Sequence, residues 1–77
     1  MSEPAITLEM VELDGTRPPK PVGKQTFRVN DIENVTLKKD WQGKWITEIR
    51  IKSLQKNVYT RVHARDVKRE MEVAWVR

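Results

Sequence analysis

Cysteine is absent, and histidine, tyrosine and phenylalanine occur once each. Without cysteine there is neither a disulfide nor a thiolate metal site. One histidine, His63, cannot make a zinc site by itself. As a general base it would need an orienting carboxylate and a nucleophile, and nothing marks a nucleophile near it. The three glycines are isolated, so no phosphate-cradling loop exists. The carboxylates are dispersed, apart from Glu70 and Glu72, which sit beside Lys68 and Arg69 and serve better to neutralise them than to cleave a glycosidic bond. No apolar run approaches membrane-spanning length. Met1-Ser2-Glu3-Pro4 lacks the basic and apolar regions of a signal peptide. These absences point to a cytoplasmic protein with no catalytic site, no metal and no cofactor, one that acts by binding and not at a membrane.

The chain has 77 residues and a net charge of +4. A domain this short buries about 60% of the surface its unfolded chain exposes, so its core is thin and a deep cavity is unexpected. The charge is unevenly placed. Residues 1–31 carry four basic and five acidic side chains, whereas residues 32–77 carry eleven basic and six acidic, a balance of +5. Such a field favours a polyanion or an acidic partner protein, although solubility alone is served by the same charge.

The apolar residues repeat with period two. Ile6, Leu8 and Met10 form one face of a first strand, and Asp14-Gly15 ends it with a turn signal. Phe27 and Val29 mark a second strand, and Val35 and Leu37 a third. Trp45, Thr47, Ile49 and Ile51 mark a fourth, and Val58, Thr60 and Val62 a fifth. Between the third and fourth strands lies Asp40-Trp41-Gln42-Gly43-Lys44. A three-residue loop with a left-handed Gly43 places Asp40 opposite Lys44, Leu37 opposite Thr47 and Val35 opposite Ile49. A slip by one residue would split the core between faces. The next loop must hold an even number of residues to keep Ile51 and Val62 on one side, and 54–57 satisfies that.

Residues 1–4 read as a flexible N-terminus and 5–77 as a single β domain. A Pro-rich connector spans 16–23, where Pro18, Pro19 and Pro21 exclude helix and the middle of a sheet. Its Pro-x-x-P spacing is also that of short ligand motifs, but a stiff loop accounts for it. At the C-terminus, Val67 and Met71 have helical spacing, while Met71, Val73 and Trp75 alternate like a strand. A helical turn near 64–70 and a closing strand over 71–76 are expected, with Trp75 in the core. The fold class is therefore all-β: five or six strands in a strongly bent antiparallel sheet or small barrel, SH3-like or OB-like, since closure hides sheet edges.

On this register the face opposite the core carries Thr36, Lys38, Ile46, Glu48, Arg50, Lys52, Tyr59, Arg61 and His63. Lysine and arginine neutralise phosphates, and a tyrosine ring stacks on an unpaired base. Trp41, in a turn with no core to fill, adds an exposed ring. Trp45, opposite Lys39, caps one end of the barrel. Lys38, Trp41, Arg50, Lys52, Tyr59, Arg61 and His63 are thus the candidate contacts for DNA or RNA in a regulatory or architectural role. The contrary reading is that Lys38 and Arg50 pair with Glu48 or Glu33 across strands. A second function class, a protein-interaction module or inhibitor subunit, would use Ile46, Tyr59 and Trp41 as anchors. Val11 and Leu13, on the otherwise polar face of the first strand, would suit a homodimer; otherwise the chain is a monomer.

Overall fold

The computed structural model describes residues 3–13 and 19–76. Its elements are β1 (Ala5–Glu12), β2 (Lys20–Arg28), a 3-10 turn (Val29–Asp31), β3 (Ile32–Lys39), β4 (Trp45–Ile51), β5 (Lys56–Thr60) and α1 (Ala64–Val76). The five strands make one antiparallel sheet in the order β2-β1-β5-β4-β3. Among the described residues it is not closed into a barrel. The two edge strands, β2 and β3, are consecutive in the chain and only three residues apart, so the sheet must coil until its edges approach at that corner. Hydrogen bonds hold the corner. The Val29 amide donates to the Pro4 carbonyl at 2.9 Å. Asp31 accepts both the amide and the hydroxyl of Ser53, while its own carbonyl accepts the Lys52 amide.

The period-two faces converge as their alternation requires. Ile6, Leu8, Met10, Phe27, Val35, Ile49 and Ile51 are buried in one core, with Val29 and Ile32 from the corner. Thr47 and Thr60 face each other across β4 and β5 and are fully buried. Their hydroxyls are satisfied, as burial demands: Thr47 donates to the Val62 carbonyl and Thr60 to the Glu9 carbonyl. The two threonines thereby pin the point where the chain leaves the sheet.

The β3–β4 hairpin has the anticipated register, with Val35 opposite Ile49 and Leu37 opposite Thr47. Gly43 closes the loop at φ 79°, where a side chain would be strained.

Four expectations are corrected. First, residues 71–76 are helical and not a closing strand. Ala64, Val67, Met71 and Ala74 form one stripe against the core, and α1 packs on β1, β3 and β4. Val73 faces away from that stripe, and Trp75, one turn beyond Met71 near the end of α1, is 57% exposed instead of buried.

Second, β2 begins at Lys20, inside the presumed connector. Pro21 is tolerated because β2 is an edge strand. The register shifts beside it, where Val22 is the extra residue and Gly23 takes φ 93°. Val29, expected in this strand, begins the 3-10 turn. Residues 16–18 of the connector, and the expected Asp14-Gly15 turn before it, lie outside the described residues.

Third, the β4–β5 loop is 52–55, two residues earlier than 54–57, so Ile49 pairs with Val58. Parity survives the shift, but β5 ends at Thr60 and Val62 falls beyond it. Fourth, Ile46 points away from the main core as expected, yet it is only 1% exposed.

Two acidic groups link this framework to pH. The hydroxyl and amide of Ser53 hold the Asp31 carboxyl below its usual 3.8. At Asp40 burial alone would raise the value. The Lys44 amide, the Arg61 guanidinium and the Gln42 amide outweigh it, and the net shift is downward. A depressed folded-state pKa contributes stability that is complete above the unfolded value and disappears as pH falls through the folded one. Urea midpoints should therefore drop as pH falls below about 4, with the Asp31→Asn plus Asp40→Asn variant flatter over that range. Equal slopes for the two proteins would remove these carboxylates from the account.

Candidate functional site

The outward face of β3, β4 and β5 gathers three of the candidate residues, Lys38, Arg50 and Tyr59, and fixes each of them against a carboxylate. The diagonal from Lys38 to Glu48 brings the ammonium to 2.9 Å from Glu48 Oε2. The Tyr59 hydroxyl donates to the same oxygen at 3.1 Å. Glu48 is mostly covered, and its bond raises the Lys38 pKa above the ordinary value. Burial, reinforced by the bond to Glu48, raises that of Tyr59. Arg50 Nε lies 3.7 Å from Glu33 Oε2. This is the cross-strand pairing that the sequence allowed as the contrary reading. An open polar depression of about 380 Å³ lies over this region, lined by Glu33, Asn34, Thr36, Glu48, Arg50 and Asn57.

Arg61 follows β5 and reaches the hairpin end. Its guanidinium donates to Asp40 Oδ2 at 2.8 Å and to the Trp45 carbonyl at 3.0 Å. The Asp40 side chain is fully buried. Its other oxygen accepts the amides of Gln42 and Lys44, at 2.9 and 3.0 Å. One carboxylate thus organises the turn, which holds Trp41 outward, and anchors Arg61.

Two candidates lie elsewhere. Lys52 is exposed in the β4–β5 loop, at the far end of β4 from the hairpin turn. His63 is not on a strand face. Its Nδ1 accepts the Arg65 amide and its carbonyl accepts the Asp66 and Val67 amides, so it caps α1.

At the hairpin end the sequence named Trp41, but Lys39, Lys44 and Trp45 were not among the expected contacts. Trp41 is 52% exposed and Trp45 56% exposed. Lys39 places its ammonium 4.8 Å from the centre of the Trp45 ring, a cation–π contact. Lys44 emerges across the turn, where its carbonyl accepts the Asp40 amide. Neither Lys39 nor Lys44 forms an ion pair among the described residues. The pairing of Trp45 with Lys39 was the available signal. An aromatic ring opposite lysine at a strand end has reached solvent and cannot cap a core. Comparison with family models, curated proteins and solved structures gave no significant match.

Proposed function

We propose that this protein binds nucleic acid, with the contact surface at the β3–β4 hairpin end and not over the whole sheet face. The observation that carries this reading is the juxtaposition of two half-exposed tryptophans with Lys39 and Lys44. Rings supply stacking surface, and ammonium groups neutralise phosphate and release counterions. Lys38 and Arg50 contribute less, because Glu48 and Glu33 already neutralise them. Arg61 stands at the margin, held by Asp40 but still 39% exposed along its side chain. The coiled sheet with its neighbouring edge strands suits a small open barrel of SH3-like or OB-like kind, acting in the cytoplasm without catalysis.

The test is a nuclease-controlled pull-down read at two salt concentrations, on wild type and on Lys39→Glu plus Lys44→Glu. Nucleic acid should co-purify at low salt, fall away at high salt and be absent from the charge-reversed variant. Recovery of a protein partner that survives nuclease treatment, with no nucleic acid at either salt, would favour the interaction-module reading. That reading draws on the exposed apolar side chains Val73, Trp75 and Val76 at the end of α1.

A further inference from the structure

We infer that the ligand is single-stranded, DNA or RNA, held over about three nucleotides with little sequence preference. This rests on the nucleic-acid reading above and narrows it. Three features of the surface favour a single strand over a duplex.

The first is charge distribution. A duplex presents rows of phosphates bordering grooves about 6 and 12 Å wide, so its readers carry cations in extended rows. Here the broad sheet face is neutralised locally, with Lys38 against Glu48, Arg50 against Glu33 and Arg61 against Asp40. The unpaired basic groups beside the rings, Lys39 and Lys44, sit together at one end of one hairpin.

The second is the charge balance of the helix. The helix α1 exposes Arg65, Lys68 and Arg69, but Asp66, Glu70 and Glu72 share its surface, and the six charges cancel. Such a helix is a poor match to a phosphate-lined groove.

The third is the rings themselves. More than half of each of Trp41 and Trp45 is exposed, which is costly unless something covers it. In a duplex the base faces are already stacked on one another. An unpaired base has a free face, and any base will serve because every base has one. Two rings take two bases, and Lys39, Lys44 and the outer side of Arg61 meet the phosphates beside them. Nothing at the hairpin end adds a fixed set of donors and acceptors for base edges, hence the weak sequence preference.

The experiment titrates oligo-dT, oligo-U and a blunt DNA duplex of equal length into the protein. Tryptophan emission is followed in a Trp75→Phe background, so that the signal arises from Trp41 and Trp45. Anisotropy of labelled oligonucleotides with the wild-type chain gives a second readout. Both single strands should quench emission and bind at least ~10-fold tighter than the duplex. Two to three phosphate contacts predict a slope of log K against log salt between about −1.4 and −2.1. Tighter or equal binding of the duplex overturns the inference and leaves nucleic-acid binding standing. Single-strand binding without quenching also overturns it, because the rings are then not the contact. Binding of neither polymer ends both readings.

Discussion

Replacing Ile49 with alanine should lower the thermal midpoint by roughly 10–30 °C or leave the chain unfolded at room temperature. Ile49 is 0% exposed. It lies at the middle of β4, opposite Val35 on one side and Val58 on the other, and it belongs to the core cluster that α1 covers with Val67. Truncating a buried isoleucine to alanine removes three carbons and leaves a cavity, at a cost of about 2–5 kcal/mol. A chain of this length has a total stability of roughly 4–11 kcal/mol, so one such loss takes much of it. The contrast is Leu54, 53% exposed in the β4–β5 loop. Leu54→Ala should stay within about 0.5 kcal/mol of wild type. Circular dichroism melts of the two variants decide the matter. Comparable midpoints for Ile49→Ala and Leu54→Ala would mean that β4 is not a buried interior strand.

The same residues show which parts of the fold the sequence reveals. The β3–β4 hairpin was legible because two independent constraints agree. Gly43 supplies the left-handed turn residue, and only one register puts Val35 beside Ile49 and Leu37 beside Thr47. The C-terminal helix was half legible because residues 67–75 satisfy both periods. Met71, Val73 and Trp75 alternate, and Val67, Met71 and Ala74 recur at helical spacing. Ala74 is a weak apolar marker, so the strand pattern looked stronger than it was. The many good helix formers between Ala64 and Ala74 were the better guide. Pro21 misled in the opposite direction, since proline is excluded from the middle of a sheet but not from its edge.

The candidate site divides along similar lines. Lys38–Glu48 and Arg50–Glu33 involve neighbours on β3 and β4 and follow from the hairpin register. Arg61–Asp40 does not. It joins residues 21 apart in the chain, where the end of β5 meets the β3–β4 turn, and requires the strand order and the point at which β5 leaves the sheet. His63 was displaced for the same reason. With β5 ending at Thr60, three residues separate it from α1, and His63 becomes the cap instead of a sheet residue. Charge composition indicated a basic half, but only the pairing pattern separates Lys38, Arg50 and Arg61, which meet carboxylates, from Lys39 and Lys44, which meet none among the described residues.

That relocation makes the paired substitution Trp41→Ala plus Trp45→Ala the most damaging change expected for ligand affinity. Loss of a stacking aromatic costs about 1–3 kcal/mol per base, so removal of both should weaken single-strand binding by roughly 30-fold to 10⁴-fold. Stability should change little, since both rings are more than half exposed and neither belongs to the core cluster. The phenylalanine pair, Trp41→Phe plus Trp45→Phe, retains a flat π face at each position and should recover most of the affinity. This recovery separates stacking from simple disturbance of the turn, which the Asp40 carboxylate holds through the Gln42 and Lys44 amides in every variant. Tyr59→Phe provides the opposite control. Its hydroxyl is committed to Glu48, beneath Lys38 and away from the hairpin end, so its removal should leave affinity within about twofold. Anisotropy titrations of the four proteins test the assignment. Wild-type affinity in the double alanine variant, or a larger loss from Tyr59→Phe than from the tryptophans, would return the interface to the sheet face.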